Sequence, residues 1–286
     1  MSVRESEFIG WATDGMAGQL PVGPGDDAAV LPNGTILAVD AVVEGVHFTS
    51  DTPAEAVVHK AMGRPLSDLC AMGADAEAVF VAALLPPGCE ARALADALGS
   101  CARAFGVVLG GGDTKRTQAG ALAFAVTAVG RLRSGSPWLR SGAHAGDRIL
   151  VSGPLGGSGS GRHLRVQPRF DVVDALRTGE TPVNACIDLS DGLGRNLAQI
   201  CRASGVGAHV HAERVPVHTD VPQDTDRIAA ALGDGEDFEL LLTLPWDHAV
   251  PDGLIDIGEI TADKALVLER DGRIEDWPAE GYEHAF

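Results

Sequence analysis

Gly23-Pro24-Gly25-Asp26-Asp27-Ala28-Ala29-Val30, followed by Leu37-Ala38-Val39-Asp40, is the stretch on which the reading of the fold turns. Two adjacent carboxylates on a Gly/Pro-kinked turn, ahead of an apolar run, place negative charge at a strand mouth where a cation would neutralise it. Gly and Asp are also ordinary turn formers, so an Asp-rich surface turn is the alternative. The arrangement recurs, however: Asp68, Asp113, Asp188 and Asp191 each end or follow an apolar or Gly-rich segment. A repeated pattern asks for a common cause.

Outward from this stretch, Pro32-Asn33-Gly34 carries a hairpin signal between strands at 28–30 and 35–39, which puts Asp40 at a strand end. Thr52 as N-cap and Pro53 at the first helical position open a helix that should run up to Pro65, and a second helical stretch, Ser67 to Met72, should stop at Gly73. Val79–Leu85 has the length of a buried strand, and Glu90–Phe105 the Ala/Leu spacing of a helix. Gly106–Leu109 reads as a short buried strand running into Gly110-Gly111-Gly112-Asp113-Thr114, with a further strand at Leu122–Gly130. Arg131–Pro137 looks like a linker, which gives domains 1–135 and 136–286. In the second, strands at Arg148–Ser152 and Ala185–Asp188 precede a helix at Leu193–Ser204. A strand at Phe238–Leu244 and shorter ones complete it. Helices alternate with strands but hairpins intervene, so the fold class expected is α/β with mixed, α+β-like sheets.

At 286 residues and 45% hydrophobic content, the chain can bury substantial cores. A net charge of −18 excludes a basic nucleic-acid surface, and an acidic chain that handles phosphates needs divalent metal. No apolar run has the length of a membrane span, and the first residues lack a secretory layout, so a cytoplasmic protein is expected. The five cysteines form no C-x-x-C pair and read as reduced, mostly buried thiols.

Each motif has two readings. The triple glycine before Asp113 makes either a tight turn or a close backbone approach to an anion, and it lacks the Lys-Ser/Thr ending of a Walker loop. Gly153–Gly161 suits a flexible connection or a phosphate cradle. Asp188-Leu189-Ser190-Asp191-Gly192 supplies hard oxygen ligands for Mg²⁺, or else caps the following helix. His47 is a partly buried polar residue unless its place after Asp40 gives it a role.

Together these motifs resemble the thiamine-monophosphate kinase family, within the aminoimidazole ribonucleotide synthetase-like superfamily. The resemblance runs through Gly25-Asp26-Asp27, Asp40 to Phe48, Leu66-Ser67-Asp68-Leu69 with Ala71-Met72-Gly73-Ala74, and Gly111-Gly112-Asp113-Thr114. It continues through Arg140–Ala143, Ile187–Leu193, Gly235–Leu240 and Gly281-Tyr282. It implies a two-domain architecture and a homodimer joined through the N-terminal sheet. It also implies transfer of the ATP γ-phosphate to thiamine monophosphate. By resemblance, Asp27, Asp40, Asp68, Asp113, Asp188 and Asp191 hold several Mg²⁺ ions, Phe105, Gly112, Arg140 and Ser190 contact ATP, and His47, Glu236 and Tyr282 take the thiamine end. No dedicated catalytic base is expected, since the acceptor phosphate is already ionised. The chain departs from the family pattern at Ala38-Val39, which offer no hydroxyl, at Pro65 in place of an Asn, and in a short segment after Gly161. Those departures keep two other readings in view: a related kinase or synthetase acting on another small acceptor, and a catalytically impaired nucleotide-binding protein.

Overall fold

The computed structural model describes residues 3–16, 18–118 and 120–277. In chain order its elements are α1 (Glu5–Ala12), β1 (Ala29–Val30), β2 (Thr35–Val43), α2 (Ala54–Ala71), β3 (Asp75–Leu85), α3 (Ala91–Ala104), β4 (Val108–Arg116), β5 (Ala123–Arg131) and β6 (Arg148–Val151). They continue with α4 (Phe170–Thr178), β7 (Ala185–Asp188), α5 (Leu193–Ser204), β8 (Gly207–His211), α6 (Arg227–Gly233), β9 (Leu240–Leu244), β10 (Ile255–Thr261), β11 (Leu266–Arg270) and β12 (Arg273–Asp276). None of the described helices is long and apolar enough to cross a membrane.

Two mixed sheets result, as the alternation of patterns leads one to expect. The first has five strands in the order β1-β2-β5-β3-β4, and the second seven in the order β12-β11-β8-β10-β6-β9-β7. The Asn33-Gly34 hairpin forms: Val30 pairs with Ile36, Gly34 takes φ +81°, and Thr35 N donates to Asn33 Oδ1 at 3.1 Å. One face of the first sheet buries Ile36, Ala38, Val42, Val79, Val81 and Val126 against α2 and α3. The other face leaves Val39, Phe80, Leu84 and Val108 exposed, Val39 by 67%.

Asp40 is not at a strand end: β2 runs on to Val43, and Asp40 pairs with Val126 of β5. Three further expectations need correction. The two helical stretches around Pro65 are one helix, α2, with Pro53 as N-cap and Pro65 inside. A proline in a helix costs roughly 3 kcal/mol. Here Ala61, Met62, Leu66 and Leu69 beside it are wholly buried, and each large apolar side chain returns about 1.5–3 kcal/mol. Packing therefore carries the helix through. Second, Gly110–Thr114 is not a turn after a buried strand but the middle of β4, an edge strand exposed along its length. The strand pairs in parallel with β3, and a Cβ on Gly112, at φ +151°, would lie 1.8 Å from Val81 O. The glycine serves that close approach. Third, Gly153–Gly161 is no loose connection: Leu155 and Ser158 are buried, and the N–H groups of Gly156 and Gly157 donate to Asp237 and Asp234 at 2.8 and 2.7 Å. Carboxylates of the chain itself already take the donors that a phosphate cradle would offer.

The short segment after Gly161 contains a single 3-10 turn, Arg162–Leu164, before α4. Of the cysteines, Cys70, Cys101, Cys186 and Cys201 are buried and Cys89 half-buried, all as free thiols. Helix α2 belongs to both halves of the fold: Leu66 and Leu69 pack in the core under the first sheet, while Cys70 and Ala71 pack with Leu150, Cys186 and Leu242 of the second.

Candidate active site

Beyond Glu55 and His59, the polar residues of α2 form one stripe, Lys60, Arg64, Ser67 and Asp68, spaced so that they lie on one face. That face looks across to the second sheet. Asp68 meets Asp188, at the C-terminal end of β7, and Asp27, from the turn before β1; oxygens of the three carboxylates all lie within 4.8 Å of one another. The Asp27 and Asp188 side chains are about 1% exposed. Burial raises the Asp68 carboxyl well above the usual range, and Asp188 and Asp40 add to the effect while Arg64 opposes it. Burial, then Asp27, pushes Asp188 up to about 7, against the hydrogen bond that Ser67 Oγ donates to its Oδ2 at 2.8 Å. Asp27 is also raised by burial, with Arg140 opposing, and Arg140 Nη2 donates to Asp27 Oδ1 at 2.7 Å.

Three packed carboxylates with so few donors form a costly arrangement unless a cation joins them. Their ligand atoms are all hard oxygens, which suits Mg²⁺. This is the observation on which the metal fit rests, and it singles out Asp27, Asp68 and Asp188.

Asp40 sits beside this group but is held by Arg64, whose Nε donates to Oδ2 at 2.6 Å and Nη2 to Oδ1 at 3.2 Å. The same guanidinium reaches Glu236 at 2.9 Å and lies 5.4 Å from the centre of the Phe238 ring. Lys60, fully buried, donates to Glu236 and to the His47 carbonyl, each at 2.8 Å, and lies 2.7 Å from His163 Nδ1. Burial, then Arg64 and Lys60, lowers the His47 imidazole to about 4. His47 is therefore a neutral ring at physiological pH, and its Nδ1 accepts from Val43 N at 3.1 Å. Glu236 and Phe238 have φ of 52° and 53°, a strained turn that costs about 1–3 kcal/mol per residue. It is pinned by Glu236 N to Ser190 O at 2.7 Å and Phe238 N to Leu189 O at 2.9 Å.

A cleft of about 550 Å³ lies beside these groups, walled by Asp40, Arg64, Asp68, Arg140, Ser190 and Asp191, among others; Asp27, Asp188, His47 and Glu236 do not line it. Arg195 lies 3.3 Å from Asp191 at its rim. A second cavity of about 590 Å³, near Phe48, Pro87 and Cys89, lies apart from the carboxylates. Not every expected site residue reaches the cleft. Phe105 ends α3 with its ring 4.9 Å from that of His59. Gly112 and Asp113 lie on β4, three strand spacings from Asp40, or roughly 14 Å at ~4.8 Å each. Asp113 is 62% exposed and pairs with Lys115 at 3.0 Å. Tyr282 lies outside the described residues.

Sequence reading passed over Lys60, Arg64, Ser67 and His163. The signal available for the first three was a polar stripe at helical spacing along a largely apolar helix; His163 gave none.

Both halves match families of one class: AIR synthase related protein, N-terminal domain, over residues 25–132, and the corresponding C-terminal domain over residues 144–243. The thiamine-monophosphate kinase of Salmonella typhimurium is 35% identical over 302 residues, which span 92% of this chain and 91% of that protein. A solved structure described as AaThiL complexed with AMPPCP and TMP superposes with a TM-score of 0.87 at 25% identity, covering 98% of this chain and 97% of that one. The kinase structure from Stenotrophomonas maltophilia gives a TM-score of 0.72 at 30% identity, covering 96% and 99%. The chain belongs to the thiamine-monophosphate kinase family.

Proposed function

We propose that the chain transfers the γ-phosphate of ATP to the phosphate of thiamine monophosphate, giving thiamine diphosphate, in the cleft between its two sheets. The observation that carries this reading is the clustered Asp27–Asp68–Asp188 group, whose Asp68 lines a cleft with Arg140 and Ser190 on its wall. A structural neighbour was solved with an ATP analogue and TMP together, which supports the pairing of substrates.

The chemistry is alignment of two anions that repel each other. Mg²⁺ ions held by Asp27, Asp68 and Asp188, with Asp191 and Asp40 on the cleft wall, would neutralise phosphate charge. Arg140, already oriented by Asp27 and by Gln199 at 2.8 Å, presents its guanidinium toward the nucleotide. At the acceptor end a neutral His47 brings no positive charge toward the cationic thiazolium, and Glu236 offers a carboxylate whose own charge is balanced by Lys60 and Arg64. Tyr282 is retained as a stacking partner for the same ring.

Residues 1–135 and 136–286 are taken as the two domains, and the active protein as a homodimer. Its contact would be the exposed face bearing Val39, Phe80, Leu84 and Val108, which is apolar and extends to the edge strand β4. Asp113 and Gly112 lie on that strand, so a second copy packed there would carry them toward the other cleft.

Removing divalent metal tests the reading. Turnover of ATP and thiamine monophosphate to thiamine diphosphate should fall to background in EDTA and return with excess Mg²⁺. Undiminished turnover after chelation would refute the metal assignment, and product with another phosphate acceptor but none with thiamine monophosphate would refute the substrate. The engagement of Asp40 by Arg64 favours one other reading, a nucleotide-binding protein without turnover. Calorimetry with a non-hydrolysable ATP analogue beside the same assay separates the two, since tight binding without product selects the second.

A further inference from the structure

Strand β8 sends alternate side chains to opposite faces of the second sheet: Ala208 and Val210 enter the core, while His209 and His211 share the outer face. β11 runs parallel beside it with Glu269 in register with His211. His209 Nε2 and His211 Nδ1 lie 3.0 and 3.2 Å from the same carboxylate oxygen, Glu269 Oε2. The rings stand 4.7 Å apart, centre to centre. His209 Nε2 is buried yet makes no hydrogen bond among the described residues, so it is close to the carboxylate without being aligned to share a proton with it.

Two imidazole nitrogens converging on one carboxylate oxygen, one of them buried and unbonded, are spaced as metal ligands are spaced. With Zn–N and Zn–O bonds of about 2.0–2.1 Å, neighbouring donors of a tetrahedral site lie about 3.3–3.4 Å apart. A donor set of two nitrogens and one oxygen suits a borderline divalent ion, whereas the all-oxygen aspartate group of the cleft suits Mg²⁺. The three side chains are 23%, 26% and 32% exposed, which leaves an approach from solvent for the ion and for a fourth ligand. Glu259, in register with His209 on β10, stands on the same face.

We infer that His209, His211 and Glu269 form a zinc site on the outer face of the C-terminal sheet, separate from the catalytic cleft. The ion would join β8 to β11 by bonds that cross between strands, and so stabilise the edge formed by β11 and β12. None of its ligands lines the cleft. Its occupancy should therefore change stability and leave turnover alone.

The test uses the full chain, purified without a histidine tag, in excess Mg²⁺ so that the oxygen-lined cleft is occupied. In that buffer, equilibrium dialysis against Zn²⁺ should give one bound ion per chain. His209→Ala, His211→Ala and Glu269→Gln should each weaken binding at least roughly tenfold. Zinc should raise the melting temperature of the wild type and not of the variants, with Mg²⁺-dependent kcat/KM the same in all. Where an alanine variant fails to fold, judged by its circular dichroism and turnover, His209→Gln or His211→Gln takes its place. The inference is overturned if the wild type binds no stoichiometric zinc, or if folded variants bind it as tightly as the wild type.

Discussion

Exchanging Asp68 or Asp188 for asparagine is expected to lower kcat/KM by about two to three orders of magnitude, the scale of losing one charged stabiliser of a developing transition state. In metal-free protein at neutral pH the same exchange should raise the melting temperature. The opposite signs have one origin. Burial and repulsion from neighbouring carboxylates, Asp188 and Asp40 for Asp68 and Asp27 for Asp188, raise the folded-state values, that of Asp188 to about 7, against about 3.9 for an aspartate in the unfolded chain. Between those values the folded protein binds more protons than the unfolded one, so stability falls as pH rises through this window. An asparagine has no charge to confine, and at position 188 its amide oxygen still accepts from Ser67. Thermal melts in EDTA at pH 5 and pH 8 should show a steep loss in the wild type and a shallower one in Asp188→Asn. Added Mg²⁺ should restore the wild type and not the variant. Wild-type kcat/KM in either folded single variant would remove that aspartate from the site.

A mixture of two nearly inactive proteins, Asp113→Asn and Asp188→Asn, should recover about a quarter of wild-type activity once subunits exchange. In a symmetric dimer with sites shared across the contact, half of the randomly assembled dimers carry one copy of each variant. One site in such a dimer combines the intact Asp188 of the first copy with the intact Asp113 of the second, and the other site combines both lesions. One active site in four therefore remains. Were Asp113 to act within its own chain, every site in the mixture would carry a lesion and nothing would return. Exchange by unfolding the mixed proteins and refolding them together, followed by the turnover assay, reads the difference. Activity of the mixture that stays at the level of the separate variants would refute the shared site, as would an Asp113→Asn protein with wild-type kcat/KM.

Much of the site was legible because strand ends and turn chemistry are local. Asp188 at the end of β7 and α5 over Leu193–Ser204 follow from an apolar run, a glycine and a helical period within twenty-odd residues. Asn33-Gly34 fixed the hairpin but not the end of β2, which runs three residues past Asp40. The partners of the cations were not legible: the stripe that carries Lys60 and Arg64 looks like a solvated helix face until Glu236, 176 and 172 positions away, is brought against it. Nor does a glycine declare which neighbour needs its bareness. Gly112 before Asp113 reads alike whether it admits a phosphate or, as in the first sheet, the carbonyl of Val81. Pro65 misled for a related reason, because a local penalty was set against packing from both halves that no window of sequence contains.

That shared packing of α2 bears on how the molecule comes apart. Because Leu66 and Leu69 complete one core while Cys70 and Ala71 complete the other, neither half can melt without stripping apolar surface from its neighbour. Calorimetry should accordingly show a single endotherm for a chain with two sheets, its calorimetric and van't Hoff enthalpies in agreement. Two resolved peaks would refute it. A C-terminal fragment begun at residue 136 would leave the seat of Cys70 and Ala71 open to water, so the unit that folds is the whole chain.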